Sequence, residues 1–149
     1  VSTINDVIRE VQKVVSTIPG MTRAPLFPPE KISMYPCSVA FEGAGTWQPD
    51  TAGGTYGSKR GRVTVIVQVY IARNDLEKSA KQASFFSDQV PNAIYRSFYS
   101  DQFNNTVDGI GEILTSGLIA MSYAVPNEEK NMLGYEFHVK DIQIRSINS

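Results

Sequence analysis

The stretch RVTVIVQVYIAR, Arg62 to Arg73, is the strongest strand signal in the chain. Val63, Val65, Val67, Val69 and Ile71 fall on one side, and Arg62, Thr64, Gln68 and Tyr70 on the other. That two-residue period is the mark of a strand with one buried face. At ~3.3 Å per residue it spans about 36–40 Å. A chain of 149 residues folded as one domain has a radius of gyration of about 15 Å and a diameter near 38 Å. A single strand therefore crosses the whole domain, and the other elements must be arranged around it.

The segment before it raises the next question. FEGAGTWQPDTAGGTYGSKRG holds six glycines at Gly43, Gly45, Gly53, Gly54, Gly57 and Gly61. It separates the long strand from a shorter one, Tyr35 to Phe41, in which Cys37, Val39 and Phe41 share a face. The connection far exceeds the two to five residues of an ordinary hairpin loop, and such lengths accompany function or disorder. It is read as a projecting Gly-rich loop over residues 46–60.

Helical spacing appears twice. Ile4, Val7, Ile8, Val11, Val14, Val15 and Ile18 form one apolar stripe, with Ser2 or Thr3 as cap, Asp6 at the positive end and Pro19-Gly20 as the stop. A second helix opens at Asn74 or Asp75, with Glu77 as capping-box partner, and buries Leu76, Ala80, Ala83, Val90, Ile94 and Phe98. Pro91 is expected to kink or restart it. Phe85, Tyr95 and Tyr99 lie on another side of this helix. Between the first helix and the first strand, Pro25, Pro28, Pro29 and Pro36 imply a stiff, extended connection.

Shorter strands are expected near 106–114 and 118–125, turning at TSG. A polar turn, PNEEKN, then leads to a last strand. There Tyr135, Phe137 and Val139 alternate, and then Ile142 and Ile144 do, so the phase slips at Lys140-Asp141. That slip predicts a β-bulge. The order of elements implies an α+β domain spanning 1–149. A mostly antiparallel sheet carries two main helices on one face and a long β-hairpin loop.

Chemistry is sparse. One cysteine, Cys37, allows no internal disulfide and reads as a small buried residue. With one histidine, His138, no zinc or copper set assembles. His138 reads as an exposed strand residue rather than a catalytic one. GAGTWQPDTAGG lacks the Gly-Lys-Ser/Thr ending of a phosphate loop, GTYGSKRG has no helix after it, and no Gly-x-Ser-x-Gly elbow occurs. No enzyme activity, metal or cofactor is expected. The net charge is −1 and the pI near 5.8, with no basic stripe of the kind a DNA binder shows. The densest cluster, Lys59, Arg60 and Arg62, reads as a solvated strand end in preference to a phosphate contact. No apolar run reaches the ~20 residues of a membrane span. The charged, periodic N-terminus VSTINDVIRE is unlike a secretion signal, which leads to the expectation of a protein made in a cytoplasm and not exported.

What remains is contact. Trp47 either folds back on its own sheet or anchors an interface together with Tyr56, Lys59 and Arg60. Phe85, Tyr95 and Tyr99 either lie under the following chain or form a patch for another subunit. Two different surfaces joined head to tail make a ring.

YPCSVAFEGAGTW, VYIARNDL, VPNAIY and the closing LGYEFHVKDIQI, in this order, resemble the tail-terminator or tail-completion proteins of long-tailed bacteriophages, over nearly the whole chain. The resemblance implies a homohexameric ring that binds the upper end of the tail tube and stops its polymerisation. It implies a surface for the neck or head-completion protein, with DNA passing through the hole without sequence-specific binding. It places the protein in the virion, after assembly in the host cytoplasm. Neck and minor tail proteins share this architecture, so a head-closure or tail-tube subunit is the alternative. A small-ligand-binding or enzymatic α+β domain, or an adaptor using the proline-rich segment, are the remaining readings.

Overall fold

Thr3 opens the first helix, α1 (Ile4–Ser16). Its hydroxyl accepts from the Asp6 amide while the Asp6 carboxylate accepts from the Thr3 amide. This reciprocal box satisfies two amides that the helix end leaves unpaired. The backbone bond to Thr3 holds Asp6 below the ordinary carboxylate range. In this computed structural model, residues 3–29, 32, 34–49, 59–72, 76–121, 123 and 132–146 are described. The expected cap at Asn74 or Asp75, the side chains of Leu76 and Glu77, Tyr56 and the turn at 126–131 lie outside the described residues.

The long strand is there. β3 (Lys59–Ala72) pairs antiparallel with β6 (Met132–Ser146) along almost its full length, forming the centre of a six-stranded sheet. β1 (Cys37–Glu42) and β2 (Thr46–Pro49) follow one another along the other edge of β3. Likewise β4 (Ile113–Thr115) and β5 (Ile119–Met121) follow one another along the outer edge of β6. The sheet is thus mostly antiparallel and four lanes wide, in the order β1-β3-β6-β4.

Part of the expected loop is stem. Thr46–Pro49 pair with Lys59–Arg62, and β6 flanks those same β3 residues as far as Ser146. The tip, 50–58, lies outside the described residues. Two of the glycines of this segment permit close contact. A Cβ at Gly45 would stand 2.7 Å from the Arg62 carbonyl oxygen, and one at Gly61 2.7 Å from the Trp47 ring.

Two bulges face each other across β3. On one side Glu42 pairs with Val65 and Thr46 with Arg62, so Gly43, Ala44 and Gly45 oppose only Val63 and Thr64. On the other, Val63 pairs with Ile142 and Val65 with Val139, so Lys140 and Asp141 oppose Thr64 alone. Asp141 takes the left-handed φ of 54° there. The phase slip in the sequence is this second bulge. It also breaks up the expected 106–114 strand. Residues 108–112 follow β6 through irregular bonds (Gly111 amide to Lys140 carbonyl, 2.9 Å; Lys140 amide to Glu112 carbonyl, 3.0 Å) before β4 becomes regular.

Both helices cover the face that carries Val63, Val65, Val67, Val69 and Ile71. α1 buries Val7, Ile8, Val11, Val15 and Ile18 there. α2 (Leu76–Asn105) buries Ala83, Phe86, Val90 and Ile94. Pro91 causes no break; the non-helical dihedrals inside α2 fall at Asp101–Asn104. There Gln102, Phe103, Asn104 and Asn105 take φ of 54°, 53°, 57° and 61° and drive Phe103 into the core. The chain then meets β6 at the Gly109–Gln143 bridge. α2 has therefore run back from the Ala72 end of the sheet to the hairpin end.

On the opposite face, the described residues form a cover over one half. Cys37, Val39, Tyr70 and Met121 form a second, smaller core under Ile32, Tyr35 and Tyr123. Tyr123 donates its hydroxyl to the Pro29 carbonyl, pinning the proline-rich connection across this end. Burial pushes the Cys37 thiol up, partly offset by the Arg23 charge, which leaves it a poor nucleophile. No helix among the described residues is long and apolar enough to cross a membrane.

Candidate functional site

The residues expected to make contacts separate into three places. Trp47 lies on the helix-bearing side of the hairpin, directly across from Gly61. The Lys59 ammonium sits 4.3 Å from the centre of its ring, within cation–π range. Trp47 has thus folded back on its own hairpin, yet 44% of it stays exposed. Arg60 is the neighbour of Lys59 in sequence but, by strand alternation, stands on the opposite face. The basic trio is therefore divided between two surfaces.

The α2 aromatics also divide. Phe85 is 42% exposed and Tyr99 79%. Each meets one ring of its own helix edge-on, Phe86 and Phe98 respectively. Tyr95 differs: it is half-buried and its hydroxyl donates to the Gly111 carbonyl at 2.8 Å. Burial raises its pKa, with the hydrogen bond at Ile113 acting against that. Tyr95 ties α2 to the irregular segment before β4, so of the two expectations it meets the one that set it against the following chain. The helical wheel could not name this partner, because Gly111 lies in the irregular segment beyond the helix.

A further apolar surface was not singled out in the sequence. Leu114, Leu118 and Ile119 are exposed on β4, the turn and β5, at the outer edge of the sheet. Their signal was faint, since three-residue strands carry no measurable period.

The open part of the outer sheet face carries a polar chain. The Tyr70 hydroxyl donates to Gln68 Oε1 at 2.6 Å, and Gln68 Nε2 donates to Glu136 Oε2 at 2.7 Å. His138 Nε2 lies 2.6 Å from Glu136 Oε1. Burial alone would raise the Glu136 pKa, but the hydrogen bonds from Gln68 and His138 and the His138 charge bring it below the ordinary value. His138 is thus engaged in a network and is not a bare strand residue. Tyr70 is pushed far up, first by burial and then by Tyr123 and Glu136.

Two depressions accompany these features. One, of about 370 Å³, lies between the facing bulges and is lined by Ala44, Gly45, Thr46, Arg62, Thr64, Lys140 and Asp141. The other, of about 390 Å³, is a groove between α1 and α2, bordered by Lys13, Thr17, Ala93, Arg96 and Ser97. Among the described residues no three His, Cys, Asp or Glu side chains come together to hold a metal. No protein-family model matches this chain, and no curated protein matches its sequence.

Proposed function

We propose that this chain is a structural ring subunit of a long-tailed bacteriophage, similar to the tail terminators. In this reading copies of the chain form a homo-oligomeric ring, a hexamer in the family it resembles. The ring caps the upper end of the tail tube, stops polymerisation, and presents the joining surface for the neck, in the virion. It converts no substrate. DNA passes through its hole.

One observation carries this reading beyond the resemblance. Apolar groups stay exposed on several separate parts of the subunit: Phe85 and Tyr99 on α2, Leu114, Leu118 and Ile119 on the β4–β5 edge, Leu26, Phe27 and Met34 in the proline-rich connection, and Trp47 on β2. A closed ring needs two different surfaces per subunit, joined head to tail. Six weak contacts acting together then hold a tube end by avidity.

The test is light scattering coupled to size exclusion, followed by electron microscopy of tail tubes incubated with the protein. A closed ring that decorates one tube end supports the reading. A strict monomer at high concentration that ignores tube ends would falsify it. Incorporation along the whole tube, instead of at one end, favours a tail-tube subunit. A second reading, a small-ligand-binding domain, draws on the groove between α1 and α2, whose volume is in the range of ligand pockets. A monomer that holds a small molecule in that groove supports it.

A further inference from the structure

The exposed side of α2 is symmetric in its chemistry about one residue. Phe85, Asp88, Asn92, Arg96 and Tyr99 are all exposed, and at about 100° per residue they fall within an arc of about 80°. That arc lies away from Ala83, Phe86, Val90 and Ile94, which α2 buries against the sheet. All five precede the non-helical turn at Asp101–Asn104, so they share one regular helix. Asn92 is the midpoint. Phe85 and Tyr99 stand seven positions to either side of it, and Asp88 and Arg96 four positions to either side.

A second copy of α2 laid antiparallel on the first, about a two-fold axis at Asn92, therefore meets it in register. Phe85 of one copy comes opposite Tyr99 of the other, and Asp88 opposite Arg96. Each contact occurs twice, as an isologous interface requires. The aromatic pairs lie about 10 Å from the axis and the charge pairs about 6 Å. At the shallow crossing of about 20° common in helix bundles, the helix axes diverge by only about 4 Å over that distance. Asn92 meets its own copy, and two side-chain amides so placed each offer a donor and an acceptor to the other.

Charge selects both the partner and its direction. Among the described residues neither Asp88 nor Arg96 has an ion-pair partner within the subunit. Laid parallel, the same helices set Asp88 against Asp88 and Arg96 against Arg96, which repels. At the two ends of the seam Phe85 keeps 42% of its surface exposed and Tyr99 79%, and aromatic side chains are the usual anchors of an interface.

We infer that the exposed side of α2 is a docking surface for α2 of a second copy of this chain, antiparallel about a two-fold axis at Asn92. The contact is separate from ring closure. A two-fold contact ends at two copies, whereas a ring joins two unlike surfaces. The β4–β5 edge, the proline-rich connection and Trp47 remain for that purpose.

The experiment is sedimentation equilibrium of the full chain and of charge-reversed variants, with circular dichroism to record the fold of each. Asp88→Arg alone and Arg96→Asp alone each turn two attractive pairs into two repulsive ones. Each should weaken self-association by about 10-fold to 30-fold. Asp88→Arg combined with Arg96→Asp should regain the wild-type strength, and so should an equimolar mixture of the two single variants. Position is tested by oxidation. Asn92→Cys should give a disulfide-linked dimer, because the new thiol meets its own copy at the axis, and Phe85→Cys should not; the native Cys37 is buried. A wild-type chain that stays monomeric at millimolar concentration overturns the inference. Single reversals without effect overturn it too, as do a combined variant as weak as the single ones and a cross-link that favours position 85 over 92. A ring that forms with any of these last three results keeps the ring and removes the seam. A dimer that shows the full rescue, grows no further and ignores tube ends keeps the seam and refutes the ring.

Discussion

Gln12 is the residue whose role is least visible in the sequence. It stands inside the apolar stripe of α1 and is fully buried. Its Nε2 donates to the Pro25 carbonyl at 2.7 Å and to the Ser38 carbonyl at 2.8 Å, and its Oε1 accepts from the Ser38 hydroxyl at 3.0 Å. One side chain thus clamps α1, the proline-rich connection and β1. Gln12→Ala strands buried acceptors and a hydroxyl, and a loss of about 2–3 kcal/mol is expected in urea unfolding. Glu136 makes the corresponding pH prediction. Its pKa is lowered in the folded state, so its contribution is present above the unfolded carboxylate pKa and fades as pH falls through the folded value. Unfolding midpoints for wild type and Glu136→Gln should therefore converge between about pH 5 and pH 3. A gap that stays constant across that window contradicts the assignment.

At the scale of elements, α2 shows where local rules mislead. Pro91 lacks an amide to donate to the Ser87 carbonyl, yet the helix passes through it with helical dihedrals. Val90 and Ile94, on either side, are both fully buried in the core and hold the segment in place. Pro91→Ala should therefore raise stability, by about 1–3 kcal/mol, measured as a higher urea midpoint with the same slope. The helix ends instead in four successive left-handed residues, each costing about 1–2 kcal/mol unless glycine or asparagine reduces it. Asn104 and Asn105 suit those positions, Phe103 is compensated by burial, and exposed Gln102 has neither advantage. Gln102→Gly should stabilise by about 0.5–1 kcal/mol after its extra unfolded-state entropy is counted. A thermal melt shifted downward would show that Gln102 has contacts worth more than the strain.

For the whole molecule, the decisive property is that its surfaces differ. One half of the outer sheet face is covered by the proline-rich connection, and the other half carries the Arg60–Arg145 and Arg62–Gln143 strand pairs. The helix side carries Phe85 and Tyr99, and the β4–β5 edge carries its own apolar group. Tyr99→Asp changes an exposed residue and should move monomer stability by no more than about 0.5 kcal/mol, while lowering the oligomer fraction seen by light scattering. Tyr95→Asp is the contrasting case. It breaks the bond to Gly111 and should destabilise the fold itself, detectable in a urea melt whether or not assembly occurs. Equal behaviour of the two variants would remove Tyr99 from the assembly surface.

Local chemistry was enough to determine the two long strands, α1 and the inward faces of each. The alternation of Val63 to Ile71, the α1 stripe, the Thr3–Asp6 cap and the slip at Lys140-Asp141 are each set by residues within a few positions of one another. Backbone periodicity converts such spacing directly into geometry. Tertiary structure alone decided which distant residues meet. Arg145 came to stand opposite Arg60, Gln12 to reach Ser38, and Tyr95 to reach Gly111, because sheet register and helix placement settle those distances.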